Sequence, residues 1–150
     1  MNVTNTAKAT MLGGKPAYGW GLGLGSPLAA ERMAQTGVDF ILVDTQHGSF
    51  HADSTLPLIF MAINAGGTIP MARVARNDYT QIGRLLDEGA LGIVVPMVHT
   101  AADAKAAADA CRQHVQQAVP PRGPGIPSTE ETEAEPHVDR SGDVAVEQSH

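Results

Sequence analysis

The chain has a single cysteine and no long hydrophobic run. Cys111 is the one cysteine among 150 residues, which excludes an intrachain disulfide and fits a reducing, cytoplasmic location. No apolar stretch approaches the roughly 20 residues needed to cross a bilayer. The first 17 residues also lack the hydrophobic segment of a signal peptide. We therefore expect no membrane partner, and we interpret residues 1–17 as a loose polar leader.

A surplus of positive charge is also absent, since the formal net charge is −6. Residues 1–112 hold 8 Lys/Arg and 9 Asp/Glu, whereas residues 113–150 hold 2 Lys/Arg and 7 Asp/Glu. The acidity therefore belongs to the tail, and the body of the chain is nearly neutral. A body without a basic patch offers no electrostatic footprint for nucleic acid or for an anionic membrane.

The tail at residues 113–150 lacks Leu, Met, Phe, Tyr and Trp and holds five of the ten prolines. This composition is typical of a disordered segment and cannot supply further buried strands. We interpret residues 113–150 as an acidic Pro/Glu-rich disordered tail arising from a frameshift, a misjoined exon or a truncation. Translating the genomic DNA beyond the Cys111 codon in all three frames would test that interpretation.

What the sequence does contain is a β-α pattern repeated four times. Continuous apolar runs predict four strands, at Tyr18–Leu24, Phe40–Val43, Thr68–Val74 and Leu91–Val95. Such alternation indicates a parallel sheet with helical crossovers. Repeated units of this size suggest a (β/α)₈ barrel, but that fold typically needs about 250 residues. The expected fold class is α/β, with residues 18–112 forming the amino-terminal half, about four βα units, of a TIM barrel.

Polar residues at helix starts support this division into elements. Ser26 followed by Pro27, Asp78 and Thr100 are each suited to cap a helix. Asp53 or Ser54 is suited to cap the helix after the second strand. The last helix is predicted to run from Ala101 to Arg112.

Ionisable residues stand where the predicted strands end. Asp44 and His47 follow the second strand, and Arg73 ends the third. The carboxyl ends of parallel strands form the functional edge of α/β enzymes. His47 can move a proton near neutral pH, Asp44 can orient its imidazole, and Arg73 can polarise a carbonyl oxygen or grip a carboxylate. The alternatives are a solvated histidine, an aspartate that caps a turn and an arginine in a structural ion pair.

A glycine pattern near the first strand offers another reading. Gly21-x-Gly23-x-x-Ser26 is similar to a dinucleotide fingerprint, although Ser26 replaces the third glycine and Pro27 follows it. A nucleotide-binding half-domain is therefore one alternative function. Close packing of backbone near a ligand is another reason for glycines in a strand.

Five sequence blocks, in this order and spacing across residues 18–112, resemble the HpcH/HpaI aldolase/citrate lyase family. They are Gly21-Leu22-Gly23 with Ser26-Pro27, Val43-Asp44-Thr45-Gln46-His47-Gly48, Ala72-Arg73-Val74 with Asn77-Asp78, Leu85-Leu86-Asp87-Glu88-Gly89-Ala90, and Val94-Val95-Pro96-Met97-Val98. The resemblance implies a class II pyruvate-linked aldolase, a carbon–carbon lyase on a (β/α)₈ barrel. It also implies a divalent metal (Mg, Mn or Co), a small-molecule 2-oxo acid and an aldehyde as partners, and a homo-oligomer.

The resemblance further implies a role for each matching site residue. His47 corresponds to the catalytic base, working through a metal-bound water. Arg73 corresponds to the substrate-binding arginine that polarises the pyruvate carbonyl and stabilises the enolate. Asp44 and Asp87 correspond to carboxylates that orient and tune the histidine.

The family's metal ligands are a Glu and an Asp on later strands, and no such strands are predicted in this chain. Four glutamates of the tail have no strand context, so we assign no metal ligand to any of them; they are Glu130, Glu131, Glu133 and Glu135. The rival expectation to an enzyme is therefore a non-catalytic fragment or an assembly partner of a barrel protein.

Overall fold

A computed structural model of the protein describes residues 4–50, 55–118, 137–138 and 144–145. The chain divides into two units, Met1–Ala118 and Val119–His150. The elements of the first unit are α1 (Thr6–Leu12), β1 (Gly19–Leu22), α2 (Pro27–Ala34), β2 (Phe40–Asp44), α3 (Leu56–Ala65), β3 (Ile69–Arg73), α4 (Tyr79–Asp87), β4 (Gly92–Val94) and α5 (Ala101–Ala118). In the second unit, β5 (His137–Val138) and β6 (Val144–Ala145) pair antiparallel.

The first unit is built on one sheet whose four strands run parallel in the order β1-β2-β3-β4. Consecutive strands are thus neighbours, each joined to the next by a helix. This is the βα progression of a barrel, and it confirms the predicted fold class. Among the described residues, the outer edges of β1 and β4 pair with no other named strand.

Alternation along the strands gives the sheet two different faces. One face packs on the helices and is buried, with Ile41 and Val43 of β2 and Ala72 of β3 fully enclosed. The largest buried side chains of the helical layer come from α3 and α4: Ile59, Phe60, Ile63 and Ile82. The hydrophobic core therefore lies between the sheet and its helices.

Three of the predicted helix caps are confirmed. The Ser26 hydroxyl accepts a hydrogen bond from the amide of Ala29 at 3.2 Å, and the Asp78 carboxylate accepts one from Gln81 at 2.9 Å. The Thr100 hydroxyl accepts from the amide of Asp103 at 3.1 Å, while the Asp103 carboxylate accepts in return from the amide of Thr100 at 2.9 Å. Each cap satisfies amide groups that a helix start leaves unpaired.

Two sequence-based boundaries were wrong. The leader is not loose throughout, since α1 occupies Thr6–Leu12, is capped by Asn5 and buries Ala7. The side-chain amide of Asn5 donates a hydrogen bond from Nδ2 to the Leu91 carbonyl at 3.0 Å, which ties this helix to the amino end of β4. The last helix extends beyond Arg112 to Ala118. Helix-favouring Ala and Gln residues continue past Arg112, so the change of composition does not coincide with the end of the helix.

Several other expectations lie outside the described residues. These are the caps proposed at Asp53 or Ser54, and most of the tail that was predicted to be disordered. None of the helices in the described part of the chain combines the length and apolar character that a membrane span requires.

The cap of α4 provides a test of the fold. Asp78→Ala removes the acceptor for the Gln81 amide, and we expect it to lower the free energy of unfolding by about 1 kcal/mol. Asp78→Asn keeps a capping oxygen and should lower the free energy of unfolding by only a few tenths of a kcal/mol. Urea denaturation followed by circular dichroism would measure both variants. Equal losses in the two would contradict the capping role.

Candidate active site

The centre of the site is an ion pair between the last residues of two neighbouring strands. Register places Asp44 of β2 beside Arg73 of β3. Arg73 Nε donates to Asp44 Oδ1 at 2.8 Å, and Arg73 Nη2 donates to Asp44 Oδ2. The Asp44 side chain is 19% exposed and the Arg73 side chain 32% exposed. The pair is therefore a bidentate contact at the carboxyl edge of the sheet, partly open to solvent.

The surroundings of Asp44 strongly favour its ionised form. The pKa of Asp44 is lowered from 3.8 to about 2, and the side-chain hydrogen bond from Arg73 is the largest cause. Burial opposes this change, whereas the amides of His47 and Gln46 reinforce it. In return, Asp44 raises the pKa of Arg73 above its usual value. Both groups are thus fully charged at neutral pH.

The residues that follow Asp44 form a tight turn anchored on that aspartate. Asp44 Oδ1 accepts from the amides of Gln46 at 3.1 Å and His47 at 3.3 Å, and the Gly48 amide donates to the Asp44 carbonyl at 2.9 Å. A Cβ at Gly48 would lie 2.3 Å from that carbonyl oxygen. The turn therefore requires glycine because no side chain fits there.

His47 projects from this turn towards solvent. Its backbone amide is bound to Asp44, but its imidazole is exposed and forms no hydrogen bond within the described residues. No hydrogen bond joins Asp44 to the ring among the described residues, so its role in orienting the imidazole stays a prediction. Both carboxylate oxygens are occupied by Arg73, so Asp44 positions the backbone of His47 instead.

Asp87 is not brought to the other predicted site residues. It ends α4, which leads into the amino end of β4, so it lies at the opposite edge of the sheet from Asp44. There Asp87 Oδ1 lies 2.9 Å from Nε2 of His114 on α5. A role for Asp87 in tuning His47 stays a prediction that the contacts of this single chain do not support.

The segment after β4 completes the carboxyl edge. Met97 is 63% exposed and has a φ of 54°, the left-handed conformation that non-glycine residues seldom adopt. The amide of His99 donates to the Asp103 carboxylate at 3.2 Å, so the backbone of His99 belongs to the cap of α5. The loop after β4 therefore holds a residue whose backbone conformation costs free energy.

A metal site is not formed by the described residues. They contain no group of three or more His, Cys, Asp or Glu side chains able to hold a metal ion. Asp44, the carboxylate that ends β2, already has both oxygens bound to Arg73. The donor set present here therefore does not fit a divalent cation.

The chain matches a known family over most of its length. The sequence model of the HpcH/HpaI aldolase/citrate lyase family matches residues 20–124. The chain belongs to this family. The match also reaches beyond Arg112, where the resemblance of the sequence blocks was expected to end, and it includes the whole of α5.

Two curated relatives of this HpcH/HpaI protein are named as aldolases. It is 39% identical over 97 residues to the hydroxypyruvate/pyruvate aldolase of Rhizorhabdus wittichii, covering 65% of this chain and 38% of the relative. It is 37% identical over 108 residues to the 4-hydroxy-2-oxo-heptane-1,7-dioate aldolase of Escherichia coli, covering 72% of this chain and 41% of that enzyme. The chain thus spans about two-fifths of the length of these relatives.

Solved structures give the same family. A HpcH/HpaI aldolase/citrate lyase family protein from Burkholderia cenocepacia is 32% identical and superposes with a TM-score of 0.66. The superposition covers 71% of this chain and 42% of that protein. The fold of the described residues is therefore that of the amino-terminal part of the family's TIM barrel.

The sequence blocks identified Asp44, Arg73 and His47, but not His114 or the strain at Met97. His114 lies in a polar stretch of α5, and its partner became apparent only when α5 packed beside α4. A Pro-Met sequence does not by itself signal a left-handed residue. For Met97 the sequence carried no usable signal.

The low pKa of Asp44 yields a pH-dependent prediction. Because the folded-state pKa lies below the ordinary value, the stabilisation is present above about pH 4 and is lost as pH falls towards 2. We expect Asp44→Asn to lower the free energy of unfolding by about 1–2 kcal/mol at pH 7. The difference in the free energy of unfolding between variant and wild type should then disappear between about pH 4 and pH 2, as measured by urea denaturation across pH.

Asp109→Asn is the matched control for this measurement. Asp109 forms surface pairs with Lys105 and Arg112, which contribute little in water. Its removal should leave the free energy of unfolding unchanged within error at every pH, because exposed ion pairs are screened by water. A gap for Asp44→Asn that stays constant down to pH 2 would contradict the assignment.

Proposed function

We propose that this chain carries the base and the cation of a pyruvate-linked class II aldolase site. The partners of such a site are a small 2-oxo acid and an aldehyde. One observation carries the proposal: Arg73 is fixed by Asp44 at the carboxyl edge of the sheet, one turn from the exposed ring of His47. Its membership of a family with named aldolases supports the same reaction class. The lone cysteine favours a cytoplasmic location.

Arg73 is suited to bind the carbonyl of a 2-oxo acid. Asp44 occupies Nε and one N–H of Nη2, so the remaining N–H groups have no partner among the described residues. The bidentate contact holds the guanidinium plane in place before a substrate arrives. A fixed cation of this kind stabilises the negative charge that develops on the oxygen of an enolate.

His47 is suited to move the proton. Removing a proton from C3 of pyruvate leaves the C–H electron pair to form the enolate double bond, and the charge moves to the carbonyl oxygen near Arg73. The imidazole accepts the proton and returns one when the reaction reverses. The same enolate adds to the carbonyl carbon of an aldehyde in the synthetic direction.

A divalent cation is the cofactor expected for the family, and in such sites it supplies further positive charge. The described residues offer no fitting set of ligands, so the roles proposed here are confined to Arg73 and His47. Asp87 is left out because its carboxylate contacts His114 at the other edge of the sheet.

Exchange of the pyruvate methyl protons for deuterium tests the proposal directly. The full chain would be incubated with pyruvate in D₂O, with and without Mg²⁺, and followed by proton NMR. We expect His47→Asn to slow exchange by about 10²–10⁴-fold, since it removes the base. Arg73→Lys should slow it by about 10²–10³-fold, since a lysine cannot keep the bidentate contact.

Arg76→Ala is the matched control. It removes another arginine three residues from Arg73, and this arginine is exposed beyond the strand. The Arg76→Ala variant should exchange the pyruvate methyl protons at the same rate as the wild type. A folded wild-type chain that exchanges no faster than buffer with Mg²⁺, Mn²⁺ or Co²⁺ would overturn the proposal for this chain.

A further inference from the structure

The sheet has a second face, opposite the helices, whose apolar side chains the described residues cover only in part. Register defines three cross-strand rows on this face. The rows are Gly19–Phe40–Ile69, Gly21–Leu42–Met71–Gly92 and Asp44–Arg73–Val94. Two rows are thus apolar, and the third ends the face at the candidate active site. We call this surface the inner face.

On the inner face, glycines of the edge strands lie beside large side chains of the central strands. A Cβ added at Gly19 would meet the ring of Phe40 at 2.3 Å, and one added at Gly92 would meet Met71 at 3.1 Å. Large side chains therefore lean over glycines on the neighbouring edge strands. Even so, Phe40, Leu42 and Met71 stay partly exposed, whereas Ile69 is buried. Hydrophobic burial favours covering what remains exposed on such an apolar sheet face.

Both edges of the same sheet also lack a partner strand within the described residues. The outer edges belong to β1 and β4, which run in the same direction. Unpaired parallel edges expose backbone N–H and C=O groups that readily accept another strand. Since β1 and β4 run in the same direction, β4 of one chain can form a parallel pair with β1 of a second chain, as neighbouring strands already do within the sheet.

The composition of the chain argues against its own tail as the cover. Residues 119–150 contain no Leu, Met, Phe, Tyr or Trp and hold five prolines. Four buried strands cannot be built from such a segment. The body, by contrast, carries 8 Lys/Arg and 9 Asp/Glu in residues 1–112, so two bodies do not strongly repel.

We propose that a second copy of this chain covers the inner face. Strand β4 of each copy pairs with β1 of the other, and the two four-stranded sheets close into one eight-stranded parallel barrel. A twofold axis along the barrel generates both contacts at once, so assembly stops at two copies. The inference stands on the sheet alone and does not depend on the proposed aldolase activity.

The number of strands agrees with this arrangement. Two sheets of four parallel strands together make the eight strands of a TIM barrel. Closure would also place two copies of the Asp44–Arg73 pair around a single barrel mouth. The dimer would thus carry its functional edges on one shared rim.

Gly21 offers a substitution that separates the open sheet from the closed barrel. It is exposed on the inner face, and a Cβ there meets nothing within 4 Å. Gly21→Glu is therefore tolerated by an open sheet, but it would bury a carboxylate beside Leu42 in a closed barrel. Gly21→Ala adds only a methyl group and should leave the closed form intact.

Sedimentation equilibrium of the full chain, from about 1 to about 100 µM, measures the assembly. We expect a wild-type species of twice the chain mass and a dimer of Gly21→Glu weakened at least tenfold. Ala106→Glu adds the same charge to an exposed position of α5 and should dimerise like the wild type. Circular dichroism and a urea titration would verify that each variant is folded.

Three results would overturn the proposal. The first is a wild-type chain that stays monomeric at every concentration. The second is a Gly21→Glu dimer as tight as the wild type, which would point to another surface, such as the exposed Leu58 and Met61 of α3. The third is growth beyond two copies, because a closed barrel leaves no edge to extend.

Discussion

The parallel register between β2 and β3 is the constraint on which the site depends. It puts Asp44 beside Arg73, and the bidentate contact between them fixes a guanidinium at the carboxyl edge of the sheet. The same carboxylate then holds the amides of Gln46 and His47. One aspartate therefore positions both the guanidinium of Arg73 and the turn that carries His47, the proposed base. A shift of the register by one residue would send Arg73 to the helical face.

This arrangement gives Asp44 a different role from the one expected. A carboxylate near a histidine is often expected to orient its ring, but here both oxygens are bound to Arg73. The imidazole of His47 is left exposed, with its position set through the backbone. The charge of Asp44 serves the site by fixing the arginine, which agrees with its pKa of about 2.

The sheet that builds the site also leaves a face to be covered. On the helical side, the aliphatic residues of β2 and β3 are enclosed by the helices, with α2 contacting β2 and α3 contacting β3. On the inner face, side chains such as Leu42 and Met71 remain partly exposed. The candidate active site lies at the end of this second face, so whatever covers the face also shapes the mouth of the site.

Local sequence signals predicted much of the fold. The four strands, the caps at Ser26, Asp78 and Thr100, and the parallel order follow from apolar runs and capping side chains, which act within a few residues. The leader helix escaped prediction because its anchor, the bond from Asn5 to Leu91, spans most of the first unit. The end of α5 escaped because helical propensity continues past the change in composition.

The sequence by itself determined which residues stand at the strand ends, and so brought Asp44, His47 and Arg73 to attention. Only the tertiary structure decided which groups bind one another. It paired the carboxylate of Asp44 with the guanidinium of Arg73, and it placed Asp87 at the opposite edge of the sheet beside His114. The reason is physical: the order of residues along a strand is a local property, whereas the partner of a charged side chain depends on the register and packing of distant segments.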